Sequence, residues 1–112
     1  MKFVALAAII AAIAIPAADG ATGKLAGLVG PGFNISLKQA GKTVTKLKAG
    51  TYTITVSDKS NIHNFHLTGP GVNKKTSVGG QGTTTWKLTL KKGTYKFICD
   101  PHPFMKGSFT VR

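Results

Sequence analysis

From residue 33 onward, apolar and polar side chains trade places with a period of two. Phe33, Ile35 and Leu37 alternate with Asn34, Ser36 and Lys38, and Tyr52, Ile54 and Val56 alternate with Thr51, Thr53 and Thr55. Trp86, Leu88 and Leu90 do the same against Thr85, Lys87 and Thr89. Tyr95, Phe97 and Cys99 then share one face, and Phe109 with Val111 share another. Successive side chains of a strand point to opposite sides, so each apolar set is expected to face inward. Turn-forming residues separate the runs at Gly30-Pro31-Gly32, Ala49-Gly50, Asp58 to Asn61, Gly69-Pro70-Gly71, Ser77 to Gly82 and Lys91-Lys92-Gly93. No stretch after Ala21 carries a helical period. The pattern predicts an all-β chain of six or seven short strands, which bury their apolar faces best as two packed sheets.

Residues 1–20 read differently. Lys2 gives a positive start, Phe3 to Ala18 form an apolar run broken by Pro16, and Ala18-Asp19-Gly20 is a small-x-small cleavage signal. The run is shorter than the roughly 20 residues a membrane span needs. A cleaved signal peptide over 1–20 is therefore expected, followed by one domain over 21–112, with the product exported to the periplasm, the cell envelope or the exterior. Export makes the lone cysteine informative, because oxidising compartments usually hold cysteines in pairs, and Cys99 has no second cysteine to pair with. Metal ligation is the leading reason for such a thiol.

Charge narrows the partners. The chain carries a formal +12, and from residue 21 on the only acids are Asp58 and Asp100. Such a field steers a protein towards anions. Its lysines are scattered singly or in the pairs Lys74-Lys75 and Lys91-Lys92, with no nucleic-acid-binding module around them. The expected partner is an acidic protein or an anionic cell-envelope surface rather than nucleic acid.

Cys99-Asp100-Pro101-His102-Pro103-Phe104-Met105 packs a thiolate, an imidazole and a thioether into seven residues at the end of a strand. These donors suit copper, and one cysteine, two histidines and a weak axial methionine make an electron-transfer copper site. Ser60 to His66 supplies the second imidazole and offers two candidates, His63 and His66, which alternation places on opposite faces. Pro101 and Pro103 fix φ on both sides of His102. Together with Phe104 they are expected to ring its exposed edge with apolar surface, a docking patch where electrons enter or leave.

His63-Asn64 followed by Cys-x2-His-x2-Met resembles the cupredoxins, the plastocyanin and azurin family of blue copper proteins, over nearly the whole of residues 21–112. The short loop is most similar to the amicyanin branch. The resemblance implies a Greek-key β-sandwich of about seven or eight strands and one copper ion cycling between Cu(I) and Cu(II). It also implies His63, Cys99, His102 and Met105 as ligands, with Asn64 tying the two ligand-bearing segments together and His66 outside the ligand set. Asp100 stands where the family has Ser or Thr, and a carboxylate beside the thiolate is expected to alter the potential or the local solvent.

The function expected is one-electron transfer between redox partner proteins by a small type 1 copper protein, a monomer with transient interfaces. The alternative is a copper carrier or sequestering protein without electron transfer. A metal-free envelope adhesin would leave the Cys-His-Met spacing to coincidence. Three histidines in all are too few for a second catalytic copper centre, and no acid stands at the spacing of a hydrolytic triad, so no enzyme activity is expected.

Overall fold

The computed structural model describes residues 20–112, and the signal peptide expected over 1–20 lies, but for Gly20, outside the described residues. Ten strands follow one another: β1 (Ala21–Val29), β2 (Ile35–Gln39), β3 (Lys42–Thr43), β4 (Lys46–Leu47), β5 (Gly50–Asp58), β6 (His66–Gly69), β7 (Val72–Lys75), β8 (Gly82–Leu90), β9 (Gly93–Cys99) and β10 (His102–Val111). They form two five-stranded sheets, ordered β3-β2-β1-β5-β8 and β4-β10-β9-β6-β7. The all-β sandwich is as expected; the larger strand count comes partly from the two-residue ribbons β3 and β4.

Alternation builds the sandwich. Along β5 every second residue is buried, with Tyr52, Ile54 and Val56 inward and the threonines between them half-buried. Parallel pairing with β1 sets Leu25 beside Ile54, and antiparallel pairing with β8 sets Trp86 on its other side. The second sheet answers with Leu67, Tyr95, Phe97, Phe109 and Val111, all buried. Phe65 and Phe97 stack at 5.3 Å, as do Tyr95 and Phe109, so aromatic surface fills the space between the sheets. Burying a side chain of this size is worth roughly 1.5–3 kcal/mol. β1, rich in Gly and Ala, has too weak an alternation to be drawn from its sequence.

One expectation fails. Phe33 belongs to the alternating set before β2, yet it is 61% exposed, and β2 begins only at Ile35. Gly30, at φ +77°, opens a loop in which its own N–H bonds the carbonyl of Asn34, so the chain has left the sheet before Phe33 is reached. A Cβ at Gly30 would lie 2.9 Å from the Cβ of Ser60, so glycine is what lets this loop lie against the one carrying His63.

Candidate metal centre

Three segments meet at one end of the sandwich. The loop after β5 is shaped by its own side chains: Asp58 Oδ1 accepts the Ser60 N–H at 3.0 Å, and Ser60 Oγ accepts that of Ile62 at 3.1 Å. This turn delivers His63, fully buried, under the 30–34 loop. Cys99 ends β9 and His102 begins β10, paired across a two-residue connection. Beyond that pair Ile98 opposes Lys106, so Pro103, Phe104 and Met105 are extra residues on one strand. Such a bulge re-aims side chains. Phe104 is thrown outward at 68% exposure while Met105 turns into the core at 3%.

His63 Nδ1 and His102 Nδ1 approach to 3.1 Å, and Cys99 Sγ lies 3.7 Å from each. The centre of that triangle is about 2.0 Å from all three atoms, the length of a bond from a first-row metal to imidazole. Among the described residues this is the trio of His, Cys, Asp or Glu side chains whose donor atoms could hold an ion. The donors are thiolate and imidazole with no carboxylate, and a thioether stands three residues beyond His102. That chemistry fits copper.

His63 Nε2 is buried with no hydrogen-bond partner, whereas a ligating histidine usually donates its second N–H. Packing holds this ring instead. Phe33 sits edge-on to His63 at 4.9 Å and to His102 at 5.1 Å, and stacks on Phe104 at 6.0 Å. Phe33, Phe104, Pro101 and Pro103 are all exposed around the half-buried His102. The expected patch of Pro101, Pro103 and Phe104 is therefore at the surface and is enlarged by Phe33. The sequence signal for Phe33 was the Gly-Pro-Gly stretch just before it.

Asn64 is 1% exposed and clamps the two ligand segments. Its backbone N–H donates to Cys99 Sγ at 3.4 Å, its Oδ1 accepts the Asp100 N–H at 2.8 Å, and its Nδ2 donates to Asp100 Oδ2 at 2.9 Å and to the Thr76 carbonyl at 3.2 Å. Thr76 was not anticipated; its Oγ1 also accepts the Phe65 N–H at 2.9 Å. His66, half-buried at the start of β6, stays outside the cluster and faces Asp100 at 2.8 Å. Burial alone would lower the pKa of His66, but its bonds to Asp100 and Asn73 and the charge of Asp100 raise it above the usual imidazole value. Burial likewise opposes ionisation of Asp100, yet His66 and Asn64 hold it below the usual carboxylate value. Asp58, buried and with Oδ2 unpartnered, is pushed up chiefly by burial.

A family model described as a cupredoxin-like domain matches residues 4–111. Amicyanin-alpha of Methylorubrum extorquens is 38% identical over 71 residues, which are 59% of this chain and 58% of that protein, less than two thirds of its length. Among solved structures, reduced rusticyanin superposes with a TM-score of 0.63 at 21% identity, covering 84% of this chain and 81% of the other. Rusticyanin from Thiobacillus ferrooxidans gives 0.58 at 21% identity, over 84% and 79%. At such identities the structural likeness speaks for the fold.

Proposed function

As a member of the cupredoxin-like family, with one copper ion as its cofactor, this chain acts, we propose, as a small exported one-electron carrier, liganded through His63, Cys99, His102 and Met105. The observation that carries the reading is the preformed triangle of two Nδ1 atoms and one Sγ, which needs no rearrangement to meet an ion. Copper supplies a one-electron couple. The protein's part is to keep the donors still, so that little reorganisation accompanies the change of charge.

Each ligand sits on a stiff support: Cys99 on β9, His102 between two prolines, and His63 under an aromatic ring. Met105, buried on the core side of the bulge, would supply the thioether donor. His102 reaches the surface amid Phe33, Pro101, Pro103 and Phe104, an apolar ring where a partner protein excludes water. The surface as a whole is basic: all fourteen lysines and arginines of the described residues are exposed, Asp58 is buried, and Asp100 is paired. A partner with an acidic rim, or an anionic envelope surface, suits this field. A buried thiolate in a rigid loop suits retention of the ion over delivery, which favours electron transfer over copper transport. Membership of the cupredoxin-like family and a donor set of thiolate, imidazoles and thioether support the reading of a carrier rather than an enzyme.

The test is the visible spectrum of the protein after adding Cu(II), with and without ascorbate, repeated on Cys99→Ala. An intense thiolate-to-copper band that bleaches reversibly and is absent from the variant is expected. A folded domain that binds copper without that band would overturn the carrier and leave storage.

A further inference from the structure

We infer that His66 and Asp100 are positioning residues for the Cys99 thiolate: they hold its hydrogen-bond donor in place, and His66 cancels the charge that Asp100 alone would set beside it. The inference rests on the copper-site reading above and adds to it two residues outside the ligand set.

A continuous chain of contacts runs from the solvent face of the second sheet to the buried sulfur. Asn73 Oδ1, on β7, lies 2.6 Å from His66 Nε2. The other ring nitrogen lies 2.8 Å from Asp100 Oδ1. With an oxygen placed at each nitrogen, the protonated ring donates to both Asp100 and Asn73. The second oxygen of Asp100 accepts from Asn64 Nδ2, and the Asp100 N–H returns a bond to Asn64 Oδ1, at 2.9 and 2.8 Å. The two residues thus pair reciprocally, which leaves Asn64 little freedom to turn. Its backbone N–H is the one that meets Cys99 Sγ.

Asp100 is next in sequence to Cys99, so its carboxylate remains well within a Debye length of about 10 Å and is poorly screened from the site. A bare carboxylate there favours the more positive copper state. His66 neutralises it, and the pair as a whole adds no net charge. The remaining charged neighbours on this face are lysines: the strand register sets Lys75 across from His66 on one side, and Ile98 then Lys106 on the other. None of them bonds the carboxylate, so the role falls to His66.

The experiment compares wild type with His66→Gln, Asp100→Asn and the double variant. Glutamine keeps a donor for Asp100 and removes the charge. In His66→Gln the ratio of Cu(I) to Cu(II) in equilibrium with a fixed redox couple is expected to fall about threefold to tenfold, tenfold corresponding to about 59 mV. The double variant, lacking both charges, is expected to return within about twofold of wild type. In the copper-free protein, amide exchange at Asn64 and Asp100 is expected to quicken in His66→Gln. A His66→Gln variant that leaves the ratio within about twofold of wild type overturns the proposal even if exchange quickens, because looser packing alone would do that. A double variant shifted as far as the single one also overturns it. Absence of the thiolate band from wild type would sink the copper-site reading instead, and the copper-free exchange measurement separates the two failures.

Discussion

Replacing Asn64 by Ala removes three side-chain hydrogen bonds at once while leaving its backbone bond to Cys99 formally possible. Two are neutral and net about 1 kcal/mol each; the third is made to a carboxylate and is worth about 1.5–3 kcal/mol when buried. Asp100 is 38% exposed at its side chain, and water can replace Asn64 there, so the third bond counts at its lower end. The expected loss is about 3.5 kcal/mol. Against a total of about 5–15 kcal/mol for a domain of this size, that is a large share. Urea unfolding of the copper-free protein should show the midpoint falling by about 2 M at a slope of about 1.5 kcal/mol/M, with the slope unchanged. Asn64→Asp supplies the control. It keeps Oδ1 as an acceptor but sets a second carboxylate 2.9 Å from that of Asp100, so it should be worse than Ala at neutral pH and recover as the pH falls towards 4. A loss below about 0.5 kcal/mol in Asn64→Ala would refute the clamp, as would an aspartate variant indifferent to pH.

Gly107→Ala would drive a Cβ into the ring of Phe97, which is pinned against Phe65, and should cost about 2 kcal/mol or more in thermal or urea unfolding; an unchanged midpoint would mean the stack can slide. The His66–Asp100 pair should add stability to the copper-free protein within one pH window. His66 has a raised pKa, so its contribution is full below about 6.5 and fades as pH rises through the raised value; Asp100 has a lowered one, so its contribution is full above about 3.8 and is lost as pH falls through the lowered value. The stability gap between wild type and His66→Gln should thus be widest from about pH 4 to 6.5 and shrink towards pH 9, and a gap constant across that range would contradict the pairing. Phe33→Ala should leave folding stability within about 1 kcal/mol, because the ring is mostly exposed, yet speed copper loss to a chelator several-fold; an unchanged rate would show that the ring does not shield the site.

Much of this protein was legible before any coordinates. Strict alternation along 51–57 and 85–90 identified β5 and β8, because a half-buried strand must change polarity at every step. Asn64, His66 and Asp100 illustrate what was not. The resemblance assigns Asn64 a bridging role and marks Asp100 as a departure from the family, but nothing in the linear spacing says that Asp100 turns its carboxylate to His66, 34 residues away. That contact depends on β6 and β9 lying side by side.

By itself, the amino-acid order determined the composition of the molecule's chemistry: an all-β sandwich from its period of two, a lone thiol grouped with imidazole and thioether, and a basic charge with almost nothing to offset it. Those properties are local, set by which side chains stand one, two or three residues apart. Only the tertiary structure decided that Asp100 turns its carboxylate to His66, that Phe33 leaves the core to cover the imidazoles, and that a three-residue bulge sends Phe104 out and Met105 in. Each of these depends on register and on the meeting of three loops at one end of the sandwich, and such long-range packing is settled by the whole set of contacts together, not by any one segment.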